Sequence, residues 1–347
     1  MQSLAAGDWE NVAKAYQVGE PSISDSTLAR YANVTYVGDL DYGFQGLKEA
    51  VDRVLTKASL VPAPFAEFTG YAYGDAGAPS EEIYHRRLHF GALQPVMAHT
   101  PYGNCDPWAP QYSSGLVASY RYWTWLHREL VPYFYSYAYR MYESPGAPVL
   151  RPGPNPYSFV VGEELYVPVV TAATNSMDIQ LPPGSWINYW DTSQVLSGAL
   201  QRFPVPLGAE PIFVRQGALI PMNVTRSYTG HGTEDSAAAL TVLVYPHEVS
   251  SFRYREDALV PWVTFTSSAS EAQLTLSADP ALPQPVLYRI EGWPEAPGSV
   301  DIVGSVVRVN QGGALPRYGE ERALNASAQS AWFYDAAAHR LVVHAIP

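Results

Sequence analysis

The 347-residue chain carries 33 acidic and 21 basic side chains, which gives a formal net charge of −12. A surface this acidic repels nucleic acid and anionic lipid, so the charge argues against binding to either. Aromatic residues make up 13% of the chain, and it contains 30 Pro and 26 Gly. This composition is typical of a β-rich globular protein with many turns, and the length favours two or three domains.

The sequence also bears on the compartment of the protein. Cys105 is the single cysteine, so an intrachain disulfide is excluded. The N-terminal stretch MQSLAAGDWE lacks the basic-then-apolar pattern of a secretion signal, and no apolar run is long enough to cross a membrane. We therefore expect no membrane partner and leave the localisation open, with the cytoplasm as the default.

Residues 1–150 alternate between strand and helix patterns. A run of β-branched and aromatic residues predicts a strand over 32–37, and apolar residues at helical spacing predict a helix over 44–58. The same patterns recur as strands within 59–68 and 93–99 and as helices beginning at Ser80 and spanning about 115–143. Strand, loop and helix in this order, three times over, predict a parallel sheet or a (β/α) barrel.

Polar residues follow each of these predicted strands. Asp39 comes directly after the first strand, with Asp41 two residues further on, Asp75 lies in the loop after the second, and His99 ends the third. In (β/α) barrels the active site lies at the carboxyl ends of the strands, so this succession indicates a site. Trp108 follows in the next loop. No group of His, Cys and carboxylate residues has metal-ligand spacing, so we expect neither a metal nor another cofactor.

The pattern changes after residue 150. Helical periodicity disappears, and short strands separated by Pro and Gly predict antiparallel β-sandwiches. The small, polar stretch 226–239 marks a boundary within this region. The predicted domains are therefore a partial (β/α) barrel over 1–150, a proximal β-sandwich over 151–225 and a distal β-sandwich over 226–347.

Three segments together resemble one enzyme family. ARYANVTYVGDL (29–40) is similar to the family's stretch around its acid/base aspartate, and residues 74–108 are similar to the region of its last two barrel strands. The run that begins VGEELYVPVV (161–170) resembles its proximal β-sandwich. On these segments the sequence resembles glycoside hydrolase family 31, the family of α-glucosidases, α-xylosidases and some α-galactosidases, over its C-terminal half only.

The resemblance implies roles for the candidate residues. It implies that Asp39 is the general acid/base, that Asp75 hydrogen-bonds the substrate or serves as a second carboxylate, and that His99 contacts the sugar. Tyr36 stands where the family has a Trp beside the acid, and Trp108 is a candidate for stacking on a sugar face. Each residue also has a plain structural alternative: turn residues for the two aspartates, core packing for His99, and a cap on the barrel for Trp108. We expect Asp41 to be a loop or capping residue.

The chain departs from the family pattern in one important respect. The family's nucleophile is an aspartate on the fourth barrel strand, and none of the 38 residues before Asp39 fits its motif. A half barrel exposes two sheet edges, which are sites for pairing with another chain. We therefore expect a homo-oligomer, or a separate chain that supplies the N-terminal half of the barrel. If the chain acts alone, we expect weak activity in which Asp75 activates water for an inverting attack.

The resulting hypothesis is an exo-acting α-glycoside hydrolase whose substrate is an oligo- or disaccharide with a terminal α-linked sugar. An α-glucoside is the first expectation. Tyr36, Leu40 and Met97 differ from the family pattern near the subsite that reads the sugar, so an α-galactoside and an α-xyloside stay open. The alternative class is a non-catalytic carbohydrate-binding or scaffolding remnant, or one half of a split glycosidase, because either would explain the absent nucleophile segment.

Overall fold

The computed structural model describes residues 34–38, 40–68, 78–99, 105–144, 146–233 and 239–347. The chain divides into two compact units. The first comprises the described residues of Met1–His127, Tyr137–Pro182 and Ala199–Ile212. The second comprises those of Arg128–Ser136, Pro183–Gly198 and Phe213–Pro347.

The described residues form five helices and twenty strands. The helices are α1 Phe44–Ala58, α2 Glu81–Ala92, α3 Ser114–Glu129, α4 Val131–Glu143 and α5 Glu321–Asn325. The strands are β1 Val34–Tyr36, β2 Ala63–Phe65, β3 Leu150–Pro152, β4 Ser158–Val161, β5 Leu165–Pro168, β6 Ser176–Ile179, β7 Ser185–Asn188, β8 Asp191–Ser197, β9 Gln201–Pro204, β10 Phe213–Arg215, β11 Leu219–Met222, β12 Leu240–Val244, β13 Val249–Tyr254, β14 Val263–Ala269, β15 Leu274–Asp279, β16 Val286–Glu291, β17 Val300–Val303, β18 Val306–Val309, β19 Ala331–Asp335 and β20 Arg340–Ala345.

Helix α1 has the bounds that the apolar spacing predicts. Leu47, Val51, Val54 and Ala58 recur every three or four residues and are all buried, so one face of the helix packs inward. The helix follows Gly43, whose backbone is extended, and its prediction over 44–58 is confirmed.

The first two strands pair in parallel, with Tyr36 opposite Phe65, and α1 connects them. The predicted third strand over 93–99 is reduced to a single parallel bridge between Ala98 and Glu67. The first residues of this predicted strand form a turn instead, because the buried Gln94 side chain takes the place of a strand partner. The Gln94 Nε2 group donates to the Ala66 carbonyl at 3.2 Å, and its Oε1 accepts from the Ala66 N–H at 2.8 Å. The described residues form no closed barrel.

The long helix predicted over 115–143 is wrong as a single element. The structure has α3 and α4, which Leu130 separates. Pro132 accounts for the break, because proline has no N–H to donate and its ring collides with the carbonyl four residues earlier. A second helix that begins one residue before Pro132 accommodates it, because the first N–H groups of a helix lack partners in any case.

The remainder is mostly β-sheet. In the first unit, β3, β4 and β5 form an antiparallel meander, and β6 pairs with β9. In the second unit, one five-stranded sheet has the order β13-β14-β15-β18-β17 and another has the order β11-β12-β16-β20-β19. The pair β12 and β16 is parallel, which the antiparallel prediction did not anticipate. Leu287, Leu324, Ala331 and Val342 form a buried cluster under the second of these sheets.

None of the described helices is both long and apolar enough to span a bilayer.

Candidate active site

Three of the five predicted site residues lie in the described part of the chain: Tyr36, His99 and Trp108. Asp39 and Asp75 lie outside the described residues, so their roles stay predictions.

His99 follows the single bridge at Ala98 and is half-buried among aromatic rings. Its ring centroid lies 5.0 Å from that of Phe68 and 5.9 Å from that of Tyr120. Nδ1 is 3.5 Å from the Tyr120 hydroxyl, whereas Nε2 is buried and has no hydrogen-bond partner among the described residues. Burial lowers the pKa of His99 against the opposing charge of Asp106, so the imidazole is neutral at pH 7.

Trp108 lies in the loop before α3 and is 67% exposed. Its ring meets that of Tyr120 edge-on, with 6.4 Å between the centroids. Large aromatic side chains usually bury most of their surface, so an indole exposed to this degree offers an apolar face to a ligand. Tyr120 therefore joins the two predicted sugar contacts, His99 and Trp108.

Tyr36 ends β1 and packs on the neighbouring strand. Its ring centroid lies 5.5 Å from that of Phe65, and the next residue, Val37, donates its N–H to the Phe65 carbonyl at 3.0 Å. The parallel pairing thus continues up to the residue that precedes Gly38. The backbone that leads to Asp39 is therefore held in the strand register.

The loop after Asp39 is held by a buried arginine of α2. Arg87 is fully buried, and its guanidinium donates to the carbonyls of Asp41, Tyr42 at 2.9 Å and Gly43 at 3.2 Å. Burial lowers the pKa of Arg87 to about 10, so the group keeps its charge at neutral pH. A planar guanidinium that gathers three successive carbonyls fixes the path of this loop.

Asp41 is a loop residue whose side chain bonds the nearby backbone, as we expected. Its Oδ1 accepts the N–H of Gly43 at 2.7 Å, and its side chain is exposed. Helix α1 approaches the loop so closely that a Cβ on Gly46 would lie 1.7 Å from the Asp41 carbonyl oxygen. Only glycine fits at Gly46, and the close approach keeps the loop against the start of α1.

A second buried arginine of α2 anchors the β-structure of the first unit. Arg86 donates to the carbonyls of Thr174 and Val205, both at 2.8 Å, and lies 3.4 Å from Oε1 of Glu210. Glu210 is fully buried, and burial raises its pKa to about 7 despite the opposing charge of Arg86. Helix α2 is thus fixed on both sides: Arg86 holds the segments around β6 and β9, and Arg87 holds the loop that follows Asp39.

The contacts of the two histidines of α2, His85 and His89, indicate structural roles. His85 lies 3.7 Å from Glu81 one turn earlier, and the ring of His89 packs 5.1 Å from that of Trp123. Within the described ranges, no group of three or more His, Cys, Asp or Glu side chains is placed to hold a metal ion.

Sequence reasoning missed Arg87 and Tyr120. One signal for Arg87 was available: the stretch HRRLH places polar residues on every face of a helix between two apolar segments, and a helix of this kind is buried only if its charges are satisfied. Tyr120 gave no signal, because it is one of many aromatic residues in α3 and nothing in the sequence pairs it with His99 or Trp108.

Comparison with known proteins identifies the family. Residues 154–220 match the family model of the glycosyl hydrolase family 31 C-terminal domain. The isomaltosyltransferase of Sporosarcina globispora is 26% identical over 348 residues, an alignment that covers 90% of this chain and 30% of that protein. The chain belongs to glycoside hydrolase family 31. It corresponds to the C-terminal portion of the family, as the resemblance of its segments indicated.

A second curated relative and a solved structure are also similar to the chain. Alpha-glucosidase 2 of Bacillus thermoamyloliquefaciens is 26% identical over 212 residues, which cover 54% of this chain and 26% of that enzyme. The cycloalternan-forming enzyme of Listeria monocytogenes, solved in complex with a pentasaccharide substrate, superposes with a TM-score of 0.78 at 20% identity, over 91% of this chain and 31% of that one. This superposition establishes a shared fold. The chain spans less than a third of each relative's length, at 30%, 26% and 31%.

Proposed function

We propose that this family 31 chain forms the acid/base and sugar-binding side of an exo-acting α-glycosidase active site. The observation that carries the proposal is the cluster around Tyr120. It combines an imidazole nitrogen of His99 that is buried without a partner among the described residues and an indole of Trp108 that is 67% exposed. One offers a directional hydrogen bond and the other an apolar face, which are the two contacts that a pyranose needs.

Asp39 is the proposed general acid/base. Glycosidases of this kind use one carboxylic acid to protonate the departing oxygen. The chain on both sides of Asp39 supports the assignment, because Val37 is held by Phe65 and the loop from Asp41 is held by Arg87. An acid that must reach one oxygen within hydrogen-bond distance benefits from fixed backbone on either side.

The second carboxylate is also part of the proposal. Asp75 is proposed to hold the sugar, and to activate water when the chain acts alone, which would invert the anomeric centre. We further propose that the parallel strands β1 and β2 with helices α1 to α4 represent the C-terminal half of a (β/α) barrel, followed by two β-sandwich domains. A second copy of the chain, or a separate chain, would then cover the open sheet edges.

The names of the relatives indicate a linkage for the first assays. One relative is an isomaltosyltransferase and another an alpha-glucosidase, and the two glucose units of an isomaltosyl group are α-1,6-linked. We therefore propose α-1,6-linked glucosides as the preferred substrates, with transfer to a second sugar as well as hydrolysis. Incubating the protein with isomaltose would separate the two reactions, because transfer yields a trisaccharide and hydrolysis yields glucose alone.

The deciding experiment compares Asp39→Asn with Asp41→Asn. The two carboxylates are two residues apart, and the amide introduced by Asp41→Asn keeps an oxygen that can accept the Gly43 N–H. We expect cleavage of aryl α-glucosides, α-galactosides or α-xylosides by the wild type and by Asp41→Asn, and a loss of at least about a hundredfold in Asp39→Asn, which is the usual contribution of a general acid. Equal rates in the wild type and Asp39→Asn would contradict the enzymatic proposal.

The exposure of Trp108 also favours a second candidate, a sugar-binding protein without turnover. This candidate predicts that isomaltose binds equally to the wild type and to Asp39→Asn, and that no substrate is cleaved by either. Calorimetric titration together with the aryl glycoside assay distinguishes the two candidates.

A further inference from the structure

Tyr120 is the residue that touches both proposed sugar contacts. It lies on α3, and its hydroxyl is 3.5 Å from Nδ1 of His99 while its ring packs against the edge of Trp108. Its ring also lies 6.2 Å from that of Phe68, which itself packs against His99. Four aromatic side chains thus form one packed group, in which the Tyr120 hydroxyl faces a nitrogen of His99.

The protonation states of Tyr120 and His99 limit how the two groups can share a hydrogen bond. Burial and the nearby Asp106 raise the pKa of Tyr120, so its hydroxyl keeps its proton. Burial makes His99 neutral, and a neutral imidazole has one N–H and one acceptor nitrogen. A phenol hydroxyl can donate or accept, so the contact allows either direction. An imidazole nitrogen is a stronger acceptor than a phenol oxygen, so we assign the shared proton to Tyr120, which makes Nδ1 the acceptor and leaves the hydrogen of His99 on Nε2.

This arrangement leaves one donor to be explained. Nε2 of His99 is buried and has no hydrogen-bond partner among the described residues, and a buried donor without a partner costs about as much free energy as a lost hydrogen bond. Such an orphan donor is expected where a ligand completes the site. The ligand has to offer a hydroxyl or ether oxygen, because a neutral N–H is a donor only.

We propose that Tyr120 is a positioning residue that fixes His99 as the Nε2–H tautomer, so that His99 donates a hydrogen bond to a sugar hydroxyl beside the Trp108 indole. The sugar-binding part of this inference rests on the proposed function. The tautomer part stands on the contact between Tyr120 and His99 and is measurable without any sugar.

Tyr120→Phe is the test variant, because it removes the hydroxyl and keeps the ring that packs on Phe68 and Trp108. Tyr112→Phe is the matched control, since its hydroxyl donates to the Pro79 carbonyl at 3.0 Å and its ring packs on Tyr84. The full 347-residue chain with ¹⁵N-labelled histidine is examined by NMR, and the His99 signals are assigned by their absence from His99→Gln. The same proteins are titrated with isomaltose.

We expect the wild type and Tyr112→Phe to show Nδ1 of His99 without a proton and Nε2 with one. In Tyr120→Phe we expect a measurable population with the proton on Nδ1. The affinity for isomaltose should fall about fivefold in Tyr120→Phe, which corresponds to one hydrogen bond, and should stay unchanged in Tyr112→Phe.

Each other outcome has a definite meaning. Identical His99 signals in the wild type and Tyr120→Phe would overturn the inference, whatever the isomaltose affinities of the two proteins. A changed tautomer with equal isomaltose affinity would overturn the claim that the donor serves the sugar. A changed tautomer with no isomaltose binding by the wild type would support the contact between Tyr120 and His99 and would contradict the proposed function instead.

Discussion

The hydroxyl of Thr229 donates a hydrogen bond to Oε2 of Glu129 at 2.6 Å, and both side chains are buried. Thr229 belongs to the small, polar stretch that the sequence marked as a boundary. The same stretch is held at its next residue, where the Gly230 carbonyl accepts from Arg289 at 3.3 Å and from Arg340 at 3.5 Å. Residues 229 and 230 are thus anchored within the second unit by the side chains of Glu129, Arg289 and Arg340.

Replacing Thr229 by valine should destabilise the protein. Thr229→Val keeps the shape of the side chain but leaves Oε2 of Glu129 buried without its donor, so we expect the free energy of unfolding to fall by about 1–3 kcal/mol. Urea denaturation followed by circular dichroism measures this. Adding Glu129→Gln to Thr229→Val should recover part of the loss, because a neutral amide is less costly to bury. Equal stability of the wild type and Thr229→Val would argue against the anchoring role.

The stability of the protein should depend on pH through Glu129. Burial raises the pKa of this carboxyl to about 7 in the folded protein, above its ordinary value of 4.5. The folded state therefore binds the proton more tightly, and the stability that this contributes below pH 4.5 is lost as the pH rises through 7. We expect the difference in unfolding free energy between wild type and Glu129→Gln to change by on the order of 2 kcal/mol between pH 5 and pH 8. A difference that stays constant across this range would contradict the buried, protonatable carboxyl.

His89 should produce a dependence of the opposite sign. Burial, with a further contribution from the charge of Arg86, lowers the pKa of the fully buried His89 to about 3. The unfolded chain then binds the proton first, so stability is full above pH 6.5 and falls as the pH drops towards 3. Between pH 6.5 and pH 5 we expect the wild type to lose about 2 kcal/mol that His89→Gln does not lose. If the wild type and His89→Gln lost the same unfolding free energy between these two pH values, the prediction would be refuted.

Gly46 of α1 should not tolerate a larger residue, because it packs against the loop after Asp39. A Cβ there would lie 1.7 Å from the Asp41 carbonyl oxygen, which is backbone and cannot rotate away. We expect Gly46→Ala to cost at least about 1–3 kcal/mol of unfolding free energy and to reduce any activity that depends on Asp39. Gly319→Ala is the control, because nothing lies within 4 Å of its added Cβ. Thermal melts that do not distinguish the two variants would show that the loop moves freely.

Trp108 should matter for sugar binding and little for stability. Its side chain is 67% exposed, so we expect Trp108→Ala to change the free energy of unfolding by no more than about 0.5 kcal/mol. The loss of its stacking face should weaken isomaltose binding about five- to tenfold in calorimetric titration. Trp190→Ala is a control from the second unit, where Trp190 is 38% exposed. An equal loss in both variants would mean that the effect is not specific to the proposed site.

The sequence alone determined the features that depend on local spacing and on segment similarity. The apolar period placed α1 over Phe44–Ala58 with its bounds correct, because the face that a helix buries repeats along the chain itself. The short strand patterns separated by Pro and Gly after residue 150 predicted the β-rich remainder. The segments that resemble glycoside hydrolase family 31 identified the family. The same reasoning named His99 and Trp108 as candidates, and it named Asp39 and Asp75, which stay predictions.

Only the tertiary structure decided which side chains meet. Arg87 reaches three carbonyls that lie more than forty residues earlier in the chain, and Gln94 replaces a strand partner of Ala66. Tyr120 contacts His99 and Trp108, which no sequence pattern pairs with it, and Glu129 meets Thr229 across 100 residues. Most of these contacts are hydrogen bonds between polar groups that would otherwise be buried without a partner, and the packing of whole elements determines which groups meet. A periodic pattern predicts that a face is buried, but it does not specify which group lies opposite.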